Sequence, residues 1–364
     1  MRVSPEARFI TRCVREPDDL QPRELVRIAQ VVQDWQAVAE LAASHGVIGF
    51  VRQAVARDRV PLPPSVAAGL RNAALAQLTH MARLDATLER IVPALEQAGV
   101  PTIVLKGPVL SRLVYPEPTL RPYSDLDLTV RDADEQAVIA TLQSIGLAEV
   151  PHGAEVERLT HAHHVHDGAA FHRVFMAPGG GVMVELHLDP LQMGLRPTRE
   201  AARWARAQPV DALPGALMLS IEDQVIHLSV HVHKHGFNRL IWLKDLDLLV
   251  RAYGRTLDWA AVRAGADAEG VTNSVWYTLS LTAAVLATPV PPAALKLLAP
   301  SAPVRLLYRL VWPPDGVANL HGHMRRRAVQ FLAADSWRGM LPNLILMGRR
   351  GVRFRAMLSA VLRH

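Results

Sequence analysis

The chain has 364 residues, half of them apolar and a fifth charged, which is a globular rather than a disordered composition and leaves room for two or three domains. A single cysteine, Cys13, excludes an intrachain disulfide and fits a reducing cytoplasm. The formal charge of +6 is lopsided: Ser301 to His364 carries 11 Arg and no Lys against Asp315 and Asp335, a net of +9, so the other 300 residues sum to −3.

The opening Met1-Arg2-Val3-Ser4-Pro5-Glu6 lacks an apolar signal core, and no run approaches the roughly 20 apolar residues that span a bilayer. A cytoplasmic protein without a membrane span is expected. Residues 1–100 read as a helical segment packing on the core. Asp34 can cap a helix over Trp35 to Ser44, with Trp35, Val38, Leu41 and Ala42 at helical spacing and Gly46 closing it. Ile48 to Ala56 reads as a further helix, and Pro61-Leu62-Pro63-Pro64 is a break. A long helix follows from about Ser65 to Gln97, with Leu84, Leu88, Ile91 and Leu95 in step. Pro93 inside it predicts a kink or a split.

Residues 101–215 form the α/β core and carry the chemistry. Thr102-Ile103-Val104-Leu105 reads as a short buried strand turning through Lys106-Gly107 into a helix from about Val109 to Val114, with Pro108 near its start. Such a turn presents backbone N–H groups that suit a phosphate. Arg121-Pro122-Tyr123-Ser124-Asp125-Leu126-Asp127-Leu128-Thr129-Val130 then reads as a strand. Its alternation places Asp125, Asp127 and Thr129 on one face and Leu126, Leu128 and Val130 on the other. Two carboxylates side by side repel unless a cation sits between them, and a hard divalent ion chooses such oxygens. A solvated polar face is the plain alternative for a bare D-x-D.

Asp132 and Glu135 have capping-box spacing before a helix ending near Ile145 and Gly146. His152, His161, His163, His164, His166 and His172 follow. They invite a zinc reading, yet without cysteines or regular spacing they fit a half-exposed strand with incidental histidines. Pro178-Gly179-Gly180-Gly181 predicts a hairpin turn into a strand with Val182, Val184, Leu186 and Leu188 on one face. Glu185, His187 and Asp189 share the other. Glu185 on a strand beside the D-x-D would complete a two-metal cluster, with His187 in reach of a carboxylate or phosphate as a supporting residue.

Residues 216–364 read as helical with a basic end. A helix from about Ile221 carries His227, His231 and His235 at four-residue intervals. Val232 stands where a zinc protease needs glutamate, so that class is excluded. The stripe is either a helix–helix contact or a cleft face. Arg239 and Lys244 could neutralise phosphate charge, or form an exposed ion-pair face with Asp245 and Asp247. The Arg-rich end could meet nucleic acid or be a solvated helix face.

The order hhLKG, then R-x-x-S-D-x-D-h-x-V, then h-x-V-E-L-H, resembles the nucleotidyltransferase-fold superfamily related to DNA polymerase β. Within it, the chain is most similar to a bacterial group of uncharacterised nucleotidyltransferases, over about Trp35 to Val250. Where that superfamily usually has Gly-Ser or Gly-Gly, this chain has Lys106-Gly107. The resemblance implies an α+β fold: a small mixed β-sheet flanked by N-terminal helices and a C-terminal helical bundle. It also implies bound Mg²⁺ (Mn²⁺ as the alternative) and transfer of an NMP from an NTP to a hydroxyl acceptor, releasing pyrophosphate. Asp125, Asp127 and Glu185 would hold metal, with Asp125 bridging two ions and Glu185 helping to deprotonate the acceptor. Lys106, Gly107, Arg121, Ser124 and Lys244 would bind nucleotide, and His187, His231, His235 and Arg239 would lie behind them. The acceptor stays open among peptide, small molecule, protein and RNA, a tailoring role on peptide natural products included. The rival readings are a catalytically silent nucleotide- or partner-binding relative and a nucleic-acid-binding protein using its basic end.

Overall fold

The computed structural model describes residues 3–21, 23–150, 172–188, 191, 200–311 and 335. The histidine stretch other than His172, Asp189 and most of the Arg-rich end lie outside the described residues. No helix among the described residues is long and apolar enough to cross a membrane.

Helices form where the apolar spacing predicts them. Trp35–Ser44 starts at Asp34, whose carboxylate accepts the Ala37 N–H at 2.9 Å, and Ile48–Asp58 comes next. Pro64–Gln97 runs through Pro93 as one continuous helix, so no split occurs there. Leu84, Leu88, Ile91 and Leu95 are all fully buried along its length. Asp132–Asp134 is a 3₁₀ turn, the N-cap of the helix Glu135–Ser144 is Asp134 rather than Asp132, and the Glu135 carboxylate accepts from Arg173 Nε at 2.6 Å.

Contacts group the chain into two units: residues 1–75 with 221–364, and residues 76–220. The first unit is helical. Pro5–Val14 packs with Leu240–Tyr253 and Thr272–Leu286 as well as with Ile48–Asp58, and Ile221–Lys234 packs with both of those later helices. Arg15 Nε donates to the Val285 carbonyl at 2.8 Å, and the Leu240 N–H reaches His45 Nδ1 at 3.2 Å. Sequence pattern suggests an exposed charged face at Asp245 and Asp247, but both are fully buried. Around Asp247 a network offsets the burial: Lys244 Nζ sits 2.6 Å from Glu16 and 2.7 Å from Asp247, and Asp247 also accepts from Arg251 and Thr288. Buried charge persists when paired and hydrogen-bonded on all sides.

Among the described residues the second unit holds a seven-stranded mixed sheet. Its strands are β1 (Ile103–Val104), β2 (Leu126–Thr129), β3 (Ala148–Glu149), β4 (His172–Met176), β5 (Met183–His187), β6 (Gln208–Pro209) and β7 (Leu217–Met218), in the spatial order β3-β4-β5-β2-β1-β7-β6. β2 and β5 are parallel, whereas β1 pairs antiparallel with β2. The hairpin between β4 and β5 turns on Gly179, Gly180 and Gly181, all at positive φ, a region that glycine enters without steric cost. One face of the sheet buries Val104, Leu126, Leu128, Phe175, Val184 and Leu186 against the long helix and against Val138 and Leu142. On the other face Ile103, Leu105 and Leu219 pack with Trp204, leaving the β2–β5 portion to polar side chains.

Candidate active site

The site arises from strand register. Asp127 of β2 is paired directly with Glu185 of β5, and Thr129 with His187 two residues on. Alternation keeps Leu126, Leu128, Val184 and Leu186 in the core, so the four polar side chains must share the opposite face. Thr129 Oγ1 donates to the His187 carbonyl at 2.8 Å and ties the two strands at that level. Asp127, Glu185 and His187 are 2 %, 8 % and 1 % exposed. One ligating atom from each lies within 4.8 Å of the others, the only such grouping of three or more acidic, histidine or cysteine side chains among the described residues.

Asp127 is the hub. His187 Nε2 is 2.7 Å from its Oδ1, and Lys106 Nζ is 2.8 Å from the same oxygen. A carboxylate only accepts, so both nitrogens donate. His187 Nε2 also stands 3.6 Å from Glu185 Oε2. Burial alone would raise the Asp127 pKa, but the Lys106 charge and the His187 hydrogen bond hold it well below the usual carboxylate range. Burial would likewise lower that of Lys106. Asp127, with Asp125 and Glu185 behind it, outweighs burial and raises it, so the ammonium stays charged.

Lys106 enters this cluster from an unusual backbone. Its φ of 52° and ψ of −120° lie outside the small left-handed region that non-glycine residues tolerate. The next residue opens the short helix Gly107–Leu113. Gly107 is required there by close approach, since a Cβ would fall 2.5 Å from Cβ of Tyr123. Tyr123 donates its hydroxyl to Asp85, which also accepts from Arg112 Nη2 at 2.8 Å, and Arg112 Nη1 reaches the Pro108 carbonyl at 2.9 Å. This brace on the Lys-Gly turn has no sequence signal, because Asp85 sits on the long helix 38 residues before Tyr123.

The remaining expected site residues fall in different places. Asp125 is half-buried in the bend just before β2 rather than on the strand, and it lies outside the close trio, although its charge acts on Lys106. Ser124 is exposed in the same bend, with its carbonyl 3.1 Å from the His80 ring. Arg121 is buried and donates to the Pro122 carbonyl at 2.6 Å. Lys244 belongs to the helical unit and its charge network. So do His231, His235 and Arg239 belong to that unit: the two imidazoles lie 4.6 Å apart and pack on Trp242 at 4.7 and 5.2 Å, with Arg239 over the same ring at 5.6 Å. His187, expected as a supporting residue, stands in the trio itself. Its position two residues after Glu185 on one face was the available signal.

Two carboxylates and an imidazole, buried and converging, can hold a divalent cation. The oxygens suit Mg²⁺, and the imidazole widens the choice to Mn²⁺. No curated protein matches the chain. The model of one family, described as uncharacterised nucleotidyltransferase, matches residues 32–287. That span takes in both acid-bearing strands and more than half the chain. The chain therefore belongs to this family of nucleotidyltransferases.

Proposed function

We propose that the enzyme transfers an NMP from an NTP to a hydroxyl acceptor and releases pyrophosphate, using the acids of β2 and β5. The observation that carries this reading is the in-register pairing of Asp127 with Glu185 on one polar face. In this reading Asp127 and Glu185 hold Mg²⁺ or Mn²⁺, His187 completes or steadies that set, and Asp125 adds a carboxylate from the bend before the strand. When bound, the ion supplies positive charge that offsets the phosphates and polarises them toward attack.

The chain's own residues do the rest. His187 fixes the orientation of the Asp127 carboxylate through its Nε2 hydrogen bond. Glu185 accepts the proton of the acceptor hydroxyl as that oxygen attacks the α-phosphorus, and pyrophosphate leaves from the far side. Lys106 provides counter-charge to the triphosphate, with the backbone at Gly107 and the Arg121–Ser124 bend alongside. Lys244 is left out, because its ammonium already bridges Glu16 and Asp247. The acceptor is a hydroxyl compound among peptides, small molecules, proteins and RNA ends.

The test uses the purified protein, each labelled NTP, Mg²⁺ and a cell extract, and then identifies what carries the label. Asp127→Asn should reduce labelling by about 10²-fold or more with an unaltered circular dichroism spectrum. Labelling by Asp127→Asn at the wild-type rate would sink the proposal.

A further inference from the structure

Two features around Lys106 are unexplained by its role as a general counter-charge. The first is which atom it contacts. Its ammonium and the His187 ring both donate to Oδ1 of Asp127, at 2.8 and 2.7 Å. A carboxylate oxygen carrying two charge-assisted or strong hydrogen bonds has little capacity left for a metal ion. One donor must withdraw before that oxygen can become a ligand. The second is the backbone. A lysine held at φ 52° and ψ −120° costs conformational energy that glycine would not incur. Such an outlier persists where the surrounding structure enforces it, here through the Tyr123–Asp85–Arg112 brace on the neighbouring turn. The strain keeps the Lys106 side chain aimed at the acid pair.

Of the two donors, Lys106 is the one able to move. His187 is buried at the end of the interior strand β5, 1 % exposed, with its carbonyl accepting from Thr129. Lys106 reaches Asp127 on a flexible four-carbon stem, and its side chain is 15 % exposed. Triphosphate offers that ammonium several anionic oxygens at once.

We infer that the Lys106 ammonium and a divalent ion compete for Oδ1 of Asp127, and that nucleotide decides the competition by drawing the ammonium onto its phosphates. The inference rests on the proposed metal and nucleotide site and adds an order to it. The free enzyme holds divalent metal weakly; metal and NTP bind as a coupled pair. By linkage, metal must raise nucleotide affinity by the factor by which nucleotide raises metal affinity.

The test is a Mn²⁺ titration of the full chain, monitored by the electron paramagnetic resonance signal of free Mn²⁺, with and without a non-hydrolysable NTP analogue. Lys106→Met should bind Mn²⁺ about tenfold tighter than wild type in the absence of nucleotide, since no ammonium has to be displaced. The analogue should raise the affinity of both proteins, because its phosphates meet the ion directly, but by a clearly smaller factor in Lys106→Met, where no ammonium has to be drawn away. Lys106→Gly removes the ammonium while suiting the backbone angle, so it must agree with Lys106→Met and guards against misfolding. Equal or weaker Mn²⁺ binding by both variants, or an equal gain from the analogue in all proteins, overturns the inference. Adding Asp127→Asn to Lys106→Met separates the two levels. If the double variant loses Mn²⁺ but Lys106→Met shows no gain, only the competition fails. If the double variant binds Mn²⁺ as well as Lys106→Met does, the metal reading fails and takes the inference with it.

Discussion

At the scale of single residues, the site depends on small geometric tolerances. Gly107 has no room for a methyl group beneath Tyr123. Gly107→Ala should therefore push the Tyr123 ring off Asp85, cost about 1–3 kcal/mol in denaturant unfolding and loosen the turn that presents Lys106. An alanine variant as stable as wild type would show that the turn relaxes freely. The D-x-D motif marks Asp127 correctly as a residue on the polar face, because extended backbone alternates and Leu126 and Leu128 need the core. It does not place Asp125. The strand begins only at Leu126, after the Ser124–Asp125 bend, and alternation says nothing about a residue outside the extended stretch. The Lys106–Asp127 contact is equally hidden, since it depends on the register of β1 against β2.

Elements show the same division between what pattern reveals and what it hides. Apolar spacing locates the long helix, and Leu84, Leu88, Ile91 and Leu95 all prove to be core. The charges of Leu240–Tyr253 suggest a solvated face, the usual fate of Lys and Asp at helical spacing. One partner that compensates Lys244 there is Glu16, more than 200 residues earlier, and no local pattern contains that information. The network makes a direct prediction. Asp247→Ala leaves Lys244 and Arg251 without their shared partner and should destabilise the protein by about 3–5 kcal/mol. Replacing Lys244 and Asp247 together by apolar residues of similar size should cost less than that single change. Chemical denaturation of the single and double variants checks the order, and a double variant worse than the single would refute it.

For the molecule as a whole, acid sensitivity should come in part from the N-terminal helices. Glu6 accepts the N–H groups of Gln33 and Asp34, and Glu24 accepts from Arg12 and the Gln21 N–H. Burial opposes ionisation at both, but these hydrogen bonds outweigh it and hold both carboxyls below the ordinary value of 4.5. A carboxyl depressed in the folded state stabilises the protein fully above its unfolded pKa, and the benefit is lost as pH falls through the folded one. Unfolding free energy should thus drop between about pH 5 and pH 3, and Glu24→Gln should make that drop shallower. An identical slope for the variant would remove Glu24 from the account.

The discontinuous helical unit has a consequence for biosynthesis. Residues 76–220 are one uninterrupted stretch that forms a compact unit within itself, so its sheet can assemble without waiting for later residues. The first 75 residues have no such luck: Arg15 waits for Val285, and Lys244 arrives long after Glu16. Until residues 221 and beyond emerge, the early helices are orphans with apolar sides uncovered, and a nascent-chain chaperone is most useful over that interval.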